Sequence, residues 1–288
     1  MKTILGILFI VLSIHQLMAH PGIGIVMDGE GSVFYTDLSH VWKIAADGTH
    51  TIAVEDVHTH ELYLDQYDNL YGEHVWYEGE ATDKWGSYVW CLSSSGVLEQ
   101  TIPPTEGFLS NNTLVRDADS NMYWPEKLGD HEVLKKETPQ GEITLHTNSK
   151  FKDIRWMYYA ESNAYLYVID HLNLKKVNPK GEVSLVADNL YEGKSSFENV
   201  GDHHYLMGMW TDTMQNTYVA AYGAQKVKKI SPNGTVETVF ESDRFWSPAG
   251  GLVAPDGTMW IMEFSARNKT RVRKINPDGR DIVFQKKE

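Results

Sequence analysis

Between Val57 and His74 the chain reads VHTHELYLDQYDNLYGEH, which gathers three histidines and two glutamates in 18 residues. Imidazole and carboxylate side chains in one pocket suit two kinds of chemistry, ligation of a divalent ion or proton transfer near neutral pH. His58 and His60 are two apart, so on an extended segment they share a face, whereas Glu61 points away from His60. Spacing alone does not make this a site. Whether His58, His60, Glu61, Glu73 and His74 meet depends on the elements that carry them.

Those elements repeat. A phrase of alternating strand residues closed by a Gly turn occurs as HVWKIAADG, YVWCLSSSG, EVLKKETPQG, NLKKVNPKG, KVKKISPNG and RVRKINPDG, ending at Gly48, Gly96, Gly141, Gly181, Gly234 and Gly279. Each is a hairpin signal and is followed by another short strand. A second phrase precedes each one, for example ELYLDQYDNLYGEH and GMWTDTMQNTYVAA, and reads strand, tight polar turn, strand. Four strands per unit, with a period near ~45 residues, predict propeller blades. The expected fold is all-β: a six-bladed β-propeller of four-stranded antiparallel blades over 20–288. The blades fall at roughly 20–56, 57–105, 106–149, 150–194, 195–243 and 244–288.

The start of the chain, MKTILGILFIVLSIHQLMAHPG, has a positive residue, an apolar run and a small residue before His20. That pattern predicts a signal peptide over 1–19, cleaved after Ala19, and a secreted or periplasmic protein. No later run approaches the length of a membrane-spanning helix. The net charge of -13 argues against nucleic acid as a partner. The one cysteine, Cys91, excludes an internal disulfide and reads as a buried strand thiol.

In a propeller the approach to each innermost strand and the end of the second strand ring one mouth of the central channel. On the repeat alignment, His20, His58, His60, His74, His171, His203 and His204 all map there, seven of the 12 histidines in the chain. Asp170 and Glu263 fall at second-strand ends. The adjacent His203 and His204, on an extended segment, would point oppositely. Asn112, Arg155, Trp156, Trp210 and Trp246 map near the same mouth. Trp76 and Trp85 belong to an insertion, Val75 to Tyr88, that reads as a long loop over it; with the other tryptophans they are candidate substrate platforms.

The cadence of strand, V-x-K-I-x-P-[ND]-G and strand resembles the NHL-repeat and gluconolactonase-like six-bladed propellers, including the streptogramin B lyase type, over essentially the whole chain after the leader. The resemblance implies a divalent metal ion at the mouth that polarises a lactone or ester carbonyl. His58, His60, His203, His204, Asp170 and Glu61 are the candidate ligands. His74 and His171 are candidates for moving the proton. MWIMEF, carrying Glu263, resembles the strand that bears the lyase glutamate. The gluconolactonase phrase EGPxW is missing from the first blade, which opens HPGIGIVMD. The expectation is therefore metal-assisted hydrolysis or elimination on a lactone, ester or sugar-derived small molecule. The alternatives are a non-enzymatic propeller that binds a glycan, peptide or metal, and an assembly scaffold.

Overall fold

The computed structural model describes residues 21–107, 113–191 and 201–286. The leader, His20 and Asn112 lie outside them. Six antiparallel sheets follow one another along the chain, each in simple sequence order from the innermost strand outward. Their innermost strands are Ile25–Met27, Leu62–Leu64, Ile154–Ala160, Met209–Thr211 and Trp246–Val253 in blades 1, 2, 4, 5 and 6. Blade 3 differs: three strands from Met122–Leu128 to Ile143–Phe151 are complete, and among the described residues its inner segment pairs with them through the isolated bridge between Arg116 and Met122. Among the described residues no helix is long and apolar enough to cross a membrane.

A short cassette sets the turn between the first and second strands of several blades. Asp212 accepts from the backbone N–H groups of Met214 and Asn216, from the Asn216 side chain and from the Tyr218 hydroxyl. Asp65 with Asn69 and Tyr71, and Asp117 with Asn121 and Tyr123, repeat the arrangement. A carboxylate that collects turn amides fixes the turn, which closes through a residue of positive φ such as Asp68, Ser120 or Gln215. The tyrosine two residues past the Asn belongs to the second strand, so the same carboxylate also pins that strand.

Apolar clusters glue the blades face to face. One runs through blades 5, 6 and 1, with Trp210, Tyr218, Trp260, Phe264, Ile25 and Tyr35 among its members. Others join blades 4 and 5, blades 1 and 2, and blades 3 and 4. None of these clusters joins blade 2 to blade 3. Ring closure between blades 6 and 1 needs Gly250, where an added Cβ would sit 2.3 Å from the carbonyl oxygen of Ile23.

Candidate functional site

The inner strand of blade 2 sorts its side chains by alternation. Leu62 and Leu64 pack into the cluster shared with blade 1, beside Phe34, Val41 and Trp90. Glu61 and Tyr63 therefore turn the other way, toward blade 3. The pairing of Leu62 with Gly72 sets Glu61 across from Glu73 on the neighbouring strand. Gly72 is required in that pairing, because a Cβ there would lie 2.2 Å from the Trp90 ring. Trp90 in turn donates from Nε1 to the carbonyl of Glu73 at 3.2 Å, holding the second strand in place.

Glu61 lines a channel cavity of about 480 Å3, together with Tyr63 and with Arg116 from blade 3. Burial pushes its carboxyl up to about 7, and the charge of Glu73 adds to the rise; His60 and Arg116 oppose it. Burial also pulls the Arg116 guanidinium down, against the charges of Tyr63, Glu137 and Glu61. Arg116 donates to the carbonyl oxygens of Thr113 and Val115. A half-ionised carboxyl and a poorly hydrated cation thus share one cavity.

The histidines of the same stretch form the rim. The rings of His58 and His60 meet edge to face, 4.7 Å between centroids. Glu73 Oε1 accepts the backbone N–H of His60 at 2.5 Å and lies 3.2 Å from His60 Nδ1. His74 Nδ1 accepts the backbone N–H of His58 at 3.0 Å, which leaves the neutral ring its proton on Nε2. The His74 ring stacks on Tyr88 at 4.8 Å. Burial lowers the pKa of both His58 and His74, and the neighbouring His60 lowers that of His58 further. Burial thus favours the neutral form of both rings.

The other sequence candidates have different surroundings. Asp170 is buried, bonds Lys175 Nζ at 2.6 Å and accepts the backbone N–H groups of Lys152 and Asp153. Burial raises its pKa, but those bonds outweigh the effect and hold it below the usual carboxylate range. Glu263 is fully buried and paired with Arg271 at 2.7 Å and Arg273 at 3.2 Å, so it neutralises two cations inside blade 6. His171 occupies a turn at φ 59° and donates its N–H to the carbonyl of Asp153.

His203 and His204 are not on an extended segment; they sit in the 3-10 turn Asp202–His204, where the His203 side chain is 71% exposed. Arg155 clamps that turn by bonding Asp202 and Asp153. The Trp156 indole donates to the carbonyl of Leu206, joining blade 4 to blade 5, and its side chain lines the channel. Trp210 also lines the channel, but is buried and stacked on Tyr218. Trp246 lies under the Arg271 guanidinium, 4.2 Å from it. The insertion carrying Trp76 and Trp85 is not a long loop. Strands Leu70–Tyr77 and Trp85–Leu92 continue through it, pairing Trp76 with Gly86 and Tyr77 with Trp85.

The sequence alone assigns no role to Arg116 or Tyr63, and it offers Glu73 without a partner. The place of Glu73 opposite Glu61 follows from laying the two strands of the blade 2 hairpin against each other. Arg116 stands immediately before the turn aspartate, where blades 1, 2 and 5 have Met27, Leu64 and Thr211.

The expected divalent ion finds no ready donor set. Glu73 Oε1 and His74 Nδ1 are engaged with backbone amides, and Asp170 and Glu263 are engaged with cations. Among the described residues no three His, Cys, Asp or Glu side chains are placed to share an ion. The described residues, as placed, do not fit a divalent ion.

Solved structures share this architecture. Virginiamycin B lyase from Staphylococcus aureus is similar at 11% identity, over 93% of this chain and 85% of that one, with a TM-score of 0.50. A gluconolactonase from Xanthomonas campestris is similar at 10% identity over 85% and 83%, with a TM-score of 0.55. An auxiliary nutrient binding protein from Bacteroides thetaiotaomicron is similar at 10% over 91% and 69%, with a TM-score of 0.58. The chain is a six-bladed β-propeller of this architecture. At these identities the likeness is one of fold. No family model and no curated protein matches the sequence.

Proposed function

We propose that this propeller is an acid–base enzyme acting on a small ester, lactone or sugar-derived molecule in its channel, with Glu61 as the proton-transferring group. The observation that carries the reading is the joint presence of Glu61 and Arg116 in one 480 Å3 cavity. A general base works best with a pKa near the operating pH, and burial beside Glu73 puts Glu61 there. The ionised carboxylate takes a proton, either from water that attacks the carbonyl or from the carbon beside it. In the first case the ester C–O bond then breaks as Glu61 returns the proton to the departing oxygen. In the second the electron pair left on carbon forms a C=C bond as the β C–O bond breaks and its oxygen group leaves. Arg116 stabilises the negative charge that develops on oxygen. The first route is hydrolysis and the second elimination; the products tell them apart. The neutral rings of His58 and His74 hold the rim without adding positive charge next to the base.

Residues 1–19 are read as a leader removed on secretion, which N-terminal sequencing of the mature protein tests. The activity is tested by screening the purified chain against a panel of lactones and aryl esters, with Glu61→Gln as the control. Turnover that falls at least 100-fold in the variant, with the fold intact, supports the reading. Turnover that Glu61→Gln leaves unchanged contradicts it. A second reading, capture of a small molecule without turnover, draws on the rigid lock of His60 on Glu73 and His58 on His74. It is supported if the wild type binds panel members and converts none of them.

A further inference from the structure

The two ends of the channel are built differently. On the histidine side the blades are drawn together through their own backbone. The His60 carbonyl accepts the N–H groups of Ile23 and Gly24, both at 2.8 Å, and the Gly208 N–H donates to the carbonyl of Ala249 at 2.8 Å. Glycine permits these approaches: a Cβ on Gly24 would lie 2.9 Å from the Leu62 nitrogen, and one on Gly208 would lie 2.8 Å from the Ala249 oxygen. The residues on that side, Pro21, Gly22, Leu206, Met207, Pro248 and Ala249, are buried. His58, His60 and His74 do not line the cavity. At the other end the lining runs out to Glu161, Ser162, Thr213 and Pro255, turn residues that are all exposed. We propose that this turn-side mouth is the entrance to the channel and a recognition site for an organic ammonium group, with Glu161 as the residue that selects it.

Glu161 stands where the repeat puts a turn aspartate. Asp28, Asp65, Asp117 and Asp212 hold that place in blades 1, 2, 3 and 5 and accept turn amides. In blade 4 Asn163 takes over that task. Its side-chain oxygen accepts the Tyr165 N–H at 3.0 Å, and its side-chain amide donates to the Tyr167 hydroxyl at 3.1 Å. Among the described residues the Glu161 carboxylate makes no hydrogen bond or ion pair. Its charge reaches across the channel to blade 2, where it adds to the rise that burial gives the Tyr63 phenol. Arg116, beyond its burial, is balanced by Glu137 and Glu61.

The walls fit an organic cation rather than a metal ion. A single carboxylate supplies too few oxygens for a hard metal ion, and Met27, Leu252, Val253 and Pro255 bring apolar surface to the same cavity. Tyr63, Trp156 and Tyr159 also line it, and aromatic rings attract quaternary ammonium ions. On the repeat alignment Glu161 matches Asp65, four residues beyond Glu61 along blade 2. At ~3.3 Å per strand residue, the two carboxyls are offset by about 13 Å along the channel. A molecule held by its ammonium at Glu161 therefore needs a flexible chain of comparable length to bring a carbonyl to Glu61. The inference names the substrate class of the proposed enzyme, a cationic ester or lactone, and rests on that reading for its role, though not for the binding itself.

Calorimetric titration of the full chain tests it, with hexyltrimethylammonium and the uncharged hexanol as probes. The cation is expected to bind tenfold or more tightly than the alcohol. Glu161→Gln should remove that preference. Thr213→Trp and Ser162→Trp, which crowd the mouth from two exposed turns, should each weaken binding of the cation tenfold or more while circular dichroism stays native. Absence of binding, or equal affinity for cation and alcohol, overturns the inference whatever the variants do. So does an undiminished preference in a folded Glu161→Gln protein, which would mean that the acidic surface holds the cation elsewhere. Undiminished binding by both folded tryptophan variants overturns it as well. A cation preference without turnover of any ester, cationic or neutral, sinks the enzyme reading alone. Turnover lost in Glu61→Gln without a cation preference sinks this inference alone.

Discussion

A carboxyl poised near neutrality leaves a mark on stability as well as on catalysis. Below about pH 4.5 Glu61 is protonated in both the folded and the unfolded chain. As pH rises, the unfolded chain ionises first, at the ordinary glutamate value of 4.5, while the folded chain holds its proton to about 7. The folded state binds more protons across that window, so its stability falls as pH rises from about 4.5 to about 7 and then levels off. Glu61→Gln removes the penalty. We expect it to be more stable than the wild type by roughly 3 kcal/mol at pH 8 and equal to it near pH 4, as read by urea denaturation at both values. His58 and His74 work in the opposite direction. Burial depresses both, so their contribution is present above the ordinary histidine value of 6.5 and is lost as pH falls below it. The His74 lock is a backbone device with a side-chain acceptor. His74→Phe keeps the stack on Tyr88 but strands the His58 N–H, and should cost about 1–2 kcal/mol by the same measurement.

At the scale of the element, the most legible feature was the hairpin. The turn residues recur with the strands, and each recurrence has a reason: an Asp collecting amides, a residue of positive φ closing the turn, an Asn and a Tyr bonding back to the Asp. Asp212→Ala releases two backbone amides, the Asn216 side chain and the Tyr218 hydroxyl together. It should destabilise the protein by roughly 2–3 kcal/mol without altering the channel at blade 2, as thermal unfolding of the variant would show. Strand ends were less legible. The stretch from Val75 to Tyr88 is polar and contains two glycines, which reads as loop, yet the strands run on through it because Gly86 accepts the Trp76 ring across the ladder. The pair His203 and His204 misled in the same way. Adjacent residues alternate only on an extended chain, and the Arg155 clamp on Asp202 holds these two in a turn.

At the scale of the whole molecule, the ring could be read from the six-fold cadence, whereas the site could be read only in part. Repeat alignment places residues at the same height on the propeller, which is why His58, His60 and His74 came together on paper. It does not say which seam a side chain enters. On an extended strand Glu61 faces away from His60, and facing away is what turns it toward Arg116. Asp170 and Glu263 lie at aligned heights but spend their charges on Lys175, Arg271 and Arg273, partners that height does not reveal. The uneven gluing of the blades also has a dynamic consequence. Blades 5, 6 and 1 share one apolar cluster, whereas among the described residues blades 2 and 3 share none. Amides facing the seam of blades 2 and 3 should therefore exchange hydrogen faster than those between blades 5 and 6, by at least tenfold in peptide-resolved exchange. Uniform protection around the ring would contradict the unequal seams.

The central claim, that the channel holds a carboxyl tuned for proton transfer near neutral pH, can be measured without knowing the substrate. A carbon-13 NMR titration of the glutamate side-chain carboxyls, with Glu61→Gln supplying the assignment, reads it directly. The account predicts that the resonance absent from the variant titrates near pH 7. If that resonance titrates near 4.5 with the surface glutamates, Glu61 is an ordinary carboxylate and the proposed chemistry loses its base.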